Sequence, residues 1–304
     1  MTLTELRYIV MLAKEQHFGR AAERCFVSQP TLSIAVKKLE DELGISLFER
    51  TKSRVRPTPT GERIVIQAQQ ILEQTSAIKD LASEGKDQLS SPLSVGAIFT
   101  IGSYLFPHLI PKLRQSVKEM PLIIEEGYTA TLRSRLRNGE LDVVILSLPF
   151  VEPDVVTQQI YEEPFVVLLP PDHPLVKQKL ISFEDIATEN LLLLGEGHCF
   201  RDQILDAFPL FRKSVEDSKS PVRTATEGSS LETLRHMVAS GLGITILPYS
   251  AALNTHYTAD SLVIRKFEEP VPSRTVALAW RASFPRHKAI DALRNAIQQC
   301  DISL

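Results

Sequence analysis

The sequence predicts two kinds of fold in series: a helical module with a short basic arm, then a larger α/β body. Three observations carry this reading. Apolar residues recur at helical spacing through most of the first eighty positions, basic charge is concentrated in the first sixty, and beyond about residue 92 short apolar strands alternate with amphipathic helices. With 304 residues, 43% of them hydrophobic, the chain is long enough for more than one core.

Thr2 and Glu5 stand in the relation of a capping box, and Leu6, Ile9, Val10 and Ala13 repeat on one face, which predicts a first helix over about Leu3 to Glu15. A second is expected over Gly19 to Cys25, where small Ala21 and Ala22 admit a neighbouring helix. Ser28 is a good N-cap, Pro30 lacks only an N–H that a first turn leaves unpaired, and Gly44 can end the helix, so the third runs from Gln29 to about Leu43. Leu32, Val36, Leu39 and Leu43 fall on its inner side, leaving Gln29, Thr31, Ser33, Lys37 and Lys38 outward. Hydrogen-bonding side chains displayed there suit base edges in a DNA major groove and the nearby phosphates. The segment 48–58, with Arg50, Lys52, Arg54 and Arg56 before Pro57, is expected to form a wing along the phosphate backbone. Residues 1–60 hold ten Lys/Arg and seven Asp/Glu, so this part carries +3 in a chain of net charge −3, and the remainder carries −6. The positive charge sits where a polyanion would be met.

A long helix is expected from Pro59 to about Glu84. Ile64, Ala68, Ile71, Thr75, Ile78 and Ala82 alternate spacings of four and three, a seam that packs on another helix. Paired with itself, the seam gives a homodimer whose two readers match a two-fold related DNA site; packing on the chain's own second domain is the alternative. After a polar stretch at 86–92, strands are expected at Leu93–Gly96, Leu122–Glu125 and Val143–Leu146, with helices at Leu105–Lys118 and Leu132–Asn138. Further strands are expected near Phe165–Leu169, Leu191–Leu194, Val222–Ala225, Ile244–Leu247 and Val276–Trp280. Helices are expected near Phe183–Ala187, Arg201–Ala207, Leu231–Ala239 and Lys288–Cys300. No apolar run approaches the roughly 20 residues of a membrane helix, and no signal-peptide pattern opens the chain, so a cytoplasmic location without membrane contact is expected. Three cysteines do not make a disulfide scaffold. No metal or cofactor is expected.

Reactive chemistry is concentrated at Gly195-Glu196-Gly197-His198-Cys199-Phe200-Arg201-Asp202-Gln203. Cys199 opens an expected helix, where unpaired N–H groups and the helix dipole favour an anion, and His198 and Arg201 can add hydrogen bonding or positive charge. These are the conditions of a reactive thiol, although a lone cysteine beside a histidine is more often a buried filler. Cys25 and Cys300 sit on apolar stretches and read as structural.

The run from Leu6 to Phe18, with Ala21-Ala22, Ser28-Gln29-Pro30-Thr31-Leu32-Ser33, Leu39-Glu40, Leu43-Gly44, Leu47-Phe48-Glu49-Arg50 and Thr58-Pro59-Thr60-Gly61, resembles the DNA-binding domain of LysR-type transcriptional regulators. The resemblance extends over essentially the whole chain. It implies an α plus α/β protein: a winged helix-turn-helix at 1–58, a linker and dimerisation helix with hinge at 59–91, and a regulatory domain at 92–304. That domain would be two α/β lobes of periplasmic-binding-protein type, lobe I about 92–162 and 268–304 and lobe II about 163–267. It further implies promoter DNA and RNA polymerase as partners, a homotetramer, and Gln29, Pro30, Thr31, Ser33, Lys37, Arg50, Lys52 and Arg54 as DNA contacts.

Gly197-His198-Cys199-Phe200-Arg201-Asp202-Gln203, with Glu227 to Arg235 and Gly243-Ile244-Thr245 downstream, is similar to the hydrogen-peroxide-sensing members of that family. The similarity implies that Cys199 attacks peroxide and becomes a sulfenic acid. Thr100, Thr129 and His198 would hold the peroxide, with Arg201, Asp202 and Arg274 completing the polar surroundings. In those members a resolving cysteine nine residues further on condenses with the sulfenic acid; here that position is Phe208, and no cysteine lies between Cys199 and Cys300. Two readings follow. Either the chain senses peroxide through Cys199 without an intramolecular disulfide lock, or its cleft takes a small metabolite and Cys199 is a remnant. Retention of His198, Arg201, Asp202, Thr100 and Thr129 together favours the first. A stand-alone thiol peroxidase would share the thiol but has no need of the DNA reader, so the chain is not expected to be an enzyme.

Overall fold

A computed structural model describes residues 1–50, 55–82, 88–209, 228–253 and 261–300. The N-terminal module packs α1 (Leu3–Glu15), α2 (Phe18–Arg24) and α3 (Gln29–Leu43). The Thr2 hydroxyl accepts the Glu5 N–H while the Glu5 carboxylate accepts the Thr2 N–H, closing the expected capping box. Ser28 caps α3 through the Thr31 N–H, and Gly44, at φ 70°, ends it in the left-handed conformation that glycine adopts without strain. Leu6, Ile9, Leu12, Ala21, Ala22, Leu32, Val36 and Leu39 form the core of this module. One inner assignment changes, since Leu43 is exposed rather than buried; Lys38 is exposed as expected and pairs with Glu5 at 3.3 Å.

Strands β1 (Phe48–Arg50) and β2 (Val55–Pro57) pair antiparallel as the wing. Helix α4 (Pro59–Ala82) leaves it beside Leu47, and a Cβ at Gly61 would overlap the Leu47 carbonyl, which is why the approach needs glycine there. The seam expected along α4 is divided. Ala68 is buried in the reader core with Ile64, Val65 and Leu72 against it, so the first half of α4 packs on the same chain, largely on α1. Ile71 and Ile78, seven residues apart, stay exposed.

The body has two lobes. In the first, β3 (Leu93–Ile98), β4 (Leu122–Gly127) and β5 (Val143–Ser147) are parallel, with α5 (Phe99–Ser116) and α6 (Thr129–Arg137) between them in sequence. The 15-residue strand β6 (Val155–Leu169) then runs through both lobes. The second lobe holds β7 (Leu180–Ile181), α7 (Phe183–Ile186), β8 (Leu191–Leu192), α8 (Cys199–Ala207), α9 (Leu231–Ala239), β9 (Ile244–Pro248), α10 (Tyr249–Leu253) and β10 (Val263–Phe267). Finally β11 (Ser273–Arg281) pairs with β5 and with the first half of β6, and α11 (His287–Gln298) packs on α5 in the first lobe. The second half of β6 pairs with β9 and β10. Each lobe encloses its own core of aliphatic residues. No helix of the described residues is long and apolar enough to cross a membrane.

Three differences from the sequence expectation matter. The sequence marks β6 only from Phe165, because polar residues interrupt 155–164 at half of its positions and that stretch leans on β11 for its pairing. Helix α5 begins at Phe99 rather than near Leu105, and α6 at Thr129 rather than Leu132. Both starts lack a capping side chain, so no sequence signal marks them. The strand expected at Val222–Ala225 lies outside the described residues.

Candidate functional site

Three helices of the body begin at one place. Parallel neighbours β3 and β4 end side by side, α5 and α6 leave them at Phe99 and Thr129, and α8 begins opposite at Cys199. Crevices at the carboxyl ends of parallel strands are where α/β folds hold ligands. The N-cap residues Ile98, Tyr128 and His198 make no side-chain capping bond. First-turn N–H groups therefore remain unfilled by caps, and three positive dipole ends favour negative charge developing between them. Gly197, at φ 92°, supplies the left-handed turn that aims His198 and Cys199 at this point.

A recess of about 10 Å³ lies here, bounded by Thr100, Thr129, Gly197, His198 and Cys199, with partly exposed Phe99 and Tyr128 beside them. Cys199 is a half-buried free thiol at the first position of α8. His198 is only 6% exposed, and its Nε2 is buried with no hydrogen-bond partner. Burial pushes its pKa below the usual 6.5 against a smaller opposing pull from the Ser229 backbone, so the ring is neutral at neutral pH. Its walls are aromatic, with the Tyr128 ring 4.8 Å and the Phe99 ring 6.0 Å from the imidazole.

Thr100 is buried and held from behind. Arg274 donates from Nη1 to Thr100 Oγ1 and from Nη2 to the Thr100 carbonyl, each at 2.9 Å, and from Nε to Glu163 at 2.8 Å. The other Glu163 oxygen accepts the Ser250 N–H at 2.9 Å. Because Thr100 Oγ1 already accepts from the guanidinium, its O–H is left to donate elsewhere. Arg274 thus stands one residue behind the recess rather than in it.

The other two expected residues sit differently. Arg201 donates to the Leu194 carbonyl at 2.8 Å, fixing the turn that precedes Cys199, and Asp202 is exposed on the first turn of α8. Sequence reasoning missed Glu163, which nothing in a Glu-Glu-Pro segment singles out, and it included Gln203 in the reactive stretch without giving it a role. The Gln203 side chain donates to Ser147 Oγ at 2.7 Å and so ties α8 to β5 of the other lobe. Phe208, at the far end of α8, is 4% exposed in the second-lobe core, its ring 4.8 Å from Phe183 and 5.5 Å from Phe267. Cys300 is buried and donates to the Ala296 carbonyl at 3.2 Å, and Cys25 is half-buried; burial pushes both thiols up.

Beside the recess opens a cleft of about 470 Å³ between the lobes, lined among others by Tyr104, Tyr128, His198, Ser230 and Glu232. The Tyr104 hydroxyl donates across it to Glu232 at 3.2 Å. On the reader, Gln29, Pro30, Thr31 and Lys37 are exposed and Ser33 half-buried, while the Thr31 hydroxyl also bonds Ser28 at 2.7 Å. Arg50 ends β1; Lys52 and Arg54 lie outside the described residues. Among those residues no cluster of His, Cys, Asp and Glu could hold a metal.

Residues 3–62 match the model of the bacterial regulatory helix-turn-helix protein, lysR family, and residues 86–301 match the LysR substrate binding domain. The chain is 39% identical over 298 residues to the DNA-binding transcriptional dual regulator OxyR of Escherichia coli K12, covering 98% of this chain and 95% of that protein. It is similar in structure to full-length OxyR of Pseudomonas aeruginosa carrying a cysteine-to-aspartate change (TM-score 0.87, 58% identity, 100% of this chain and 96% of that one). It is also similar to a cysteine-to-serine mutant of Corynebacterium glutamicum OxyR with hydrogen peroxide bound (TM-score 0.64, 31% identity, 98% and 92%). A helical reader with a wing, a linker helix and a two-lobed α/β body, matched end to end in this way, make the chain a member of the LysR family of DNA-binding transcriptional regulators.

Proposed function

We propose that this protein is a peroxide-responsive regulator of the OxyR type, in which oxidation of Cys199 alters how the reader meets promoter DNA. The observation that carries the reading is the convergence of Thr100, Thr129, His198 and Cys199 on one small recess at three helix starts. The thiolate of Cys199 attacks one peroxide oxygen, the O–O bond breaks, and the second oxygen leaves as hydroxide. Two electrons pass from sulfur to peroxide, the thiol proton ends on the hydroxide as water, and Cys199 becomes a sulfenic acid. Threonine hydroxyls and the His198 ring orient the peroxide, while the helix starts stabilise the charge on the departing oxygen. Arg274 and Glu163 act as positioning residues through Thr100.

The reader engages promoter DNA through Gln29, Pro30, Thr31, Ser33, Lys37, Arg50, Lys52 and Arg54. It acts as a homodimer through α4, assembled to a tetramer, in the cytoplasm and in company with RNA polymerase. Phe208 cannot form the disulfide that a cysteine there would, so the oxidised state is a sulfenic acid or a mixed disulfide with a small thiol. Membership of a regulator family sets aside the thiol peroxidase reading. The 470 Å³ cleft favours a second reading, a metabolite effector.

One experiment separates them: the mass of the Cys199 peptide before and after stoichiometric peroxide, alongside footprints on DNA selected by the full-length protein. The expected result is one added oxygen, or a thiol adduct, at Cys199 with a changed footprint, both lost in Cys199→Ser. An unmodified Cys199, or a footprint that responds to peroxide in the serine variant, overturns the peroxide reading.

A further inference from the structure

The turn between α2 and α3 is built as a Schellman motif. The Val27 N–H reaches back to the Ala22 carbonyl at 3.0 Å and the Phe26 N–H to the Glu23 carbonyl at 3.1 Å, which places residue 26 at the C′ position. That position needs positive φ, and glycine or asparagine normally fills it. Here it is a phenylalanine at φ 58°. A bulky side chain in that backbone region is a genuine outlier. The ring is 95% exposed, so the strain is not offset by burial within the chain. Neither local propensity nor the core explains Phe26.

Its location does. Two residues later Ser28 caps α3, and the exposed Gln29, Pro30 and Thr31 follow at the end of the helix that would enter a major groove. The module carries +3 against −6 for the remainder of the chain, so DNA is the partner its charge complements. We infer that Phe26 is a specificity-determining DNA contact that reads thymine through its 5-methyl group, the apolar feature of the major groove for which a phenylalanine face is suited. The inference rests on the DNA-reading function proposed above. Phe26 supplies the apolar reading and Gln29 and Thr31 the polar one, and a strained turn projects the ring beyond the helix surface.

The test uses full-length protein and duplexes it selects from random DNA, each thymine then replaced in turn by deoxyuridine, which lacks only the methyl. Wild type is expected to lose about four-fold in affinity per contacted methyl, and about fifteen-fold when both symmetry-related thymines are replaced. Phe26→Asn and Phe26→Gly, which suit the turn and should melt no lower than wild type, are expected to bind the thymine duplex more weakly and to lose the discrimination. A wild type indifferent to every deoxyuridine, or variants that discriminate as wild type does, overturns the inference. So does a Phe26→Asn variant whose only defect is in assembly, which would make the ring a protein contact. Failure of the wild type to select any duplex would instead remove the DNA-reading proposal itself.

Discussion

Introducing a thiol at position 208 perturbs two things at once, packing and the geometry of oxidation. Phe208 is buried between Phe183 and Phe267, and truncating a buried phenylalanine costs about 3–5 kcal/mol, so Phe208→Cys should lower the stability of the reduced protein by about 3 kcal/mol. Cys199 and residue 208 stand at the two ends of α8, and nine residues of helix span about 13 Å. A disulfide needs Cα atoms within about 7 Å, so bond formation requires α8 to unwind. The expected result under peroxide is a Cys199–position 208 disulfide, found by mass spectrometry of digested protein, that appears together with loss of helix by circular dichroism. Urea titration of the reduced variant gives the packing cost. A disulfide formed with α8 intact, or a reduced variant as stable as wild type, would refute the reasoning.

Arg274→Met should destabilise the fold by about 3–5 kcal/mol in urea titration, because Glu163 is then left buried without its partner, and should slow Cys199 oxidation by releasing Thr100. His198 gives a pH signature. Its folded pKa is depressed, so the unfolded chain binds the proton first, and stability should fall as pH drops below about 6.5; the part due to His198 disappears in His198→Asn, measured by urea titration from pH 7.5 to 5. Lys37→Ala should weaken DNA binding on all sequences and flatten the slope of log affinity against log salt by about one unit, whereas an unchanged slope would move the phosphate contacts elsewhere. Phe26→Gly should raise the stability of the reader by about 1 kcal/mol, read as a higher melting temperature.

Elements closed by local chemistry were legible from the sequence. Thr2 with Glu5, Ser28 and Gly44 mark the ends of α1 and α3 because a cap is a contact between near neighbours in the chain. The starts of α5 and α6 were not legible, since Ile98 and Tyr128 cap nothing; the absence of a cap is what leaves helix N–H groups for a ligand, so the same feature hides the helix start and makes the site. Thr100 and Thr129 could therefore be nominated only through resemblance. Glu163 lies 111 residues from Arg274 and becomes its partner only because β6 and β11 pair, a relation no local pattern encodes.

The proposed sensor at Cys199 and the proposed reading end at α3 would need more than a list of contacts between them, yet the contacts are continuous. Gln203 on α8 bonds Ser147, Ser147 bonds the Thr275 carbonyl on β11, and β11 ends at Arg281. Arg281 pairs with Glu73 of α4 at 2.6 Å, with both side chains largely buried, and α4 packs through Ala68 on the core that holds α1 and α3. Such a path transmits nothing unless one member has two states. Helix α8 is the member placed to have them. It starts at Cys199, its first turn holds N–H groups without a side-chain cap whose surroundings would change if the sulfur gained an oxygen, and it carries Gln203 across to the other lobe. Phe208 anchors its far end in a well-packed aromatic cluster, which opposes unwinding. With that anchor, the change expected on oxidation is a shift or tilt of an intact α8 rather than its collapse. The response to peroxide should accordingly be smaller in amplitude, and more readily reversed by small thiols, than one driven by a disulfide that dismantles the helix.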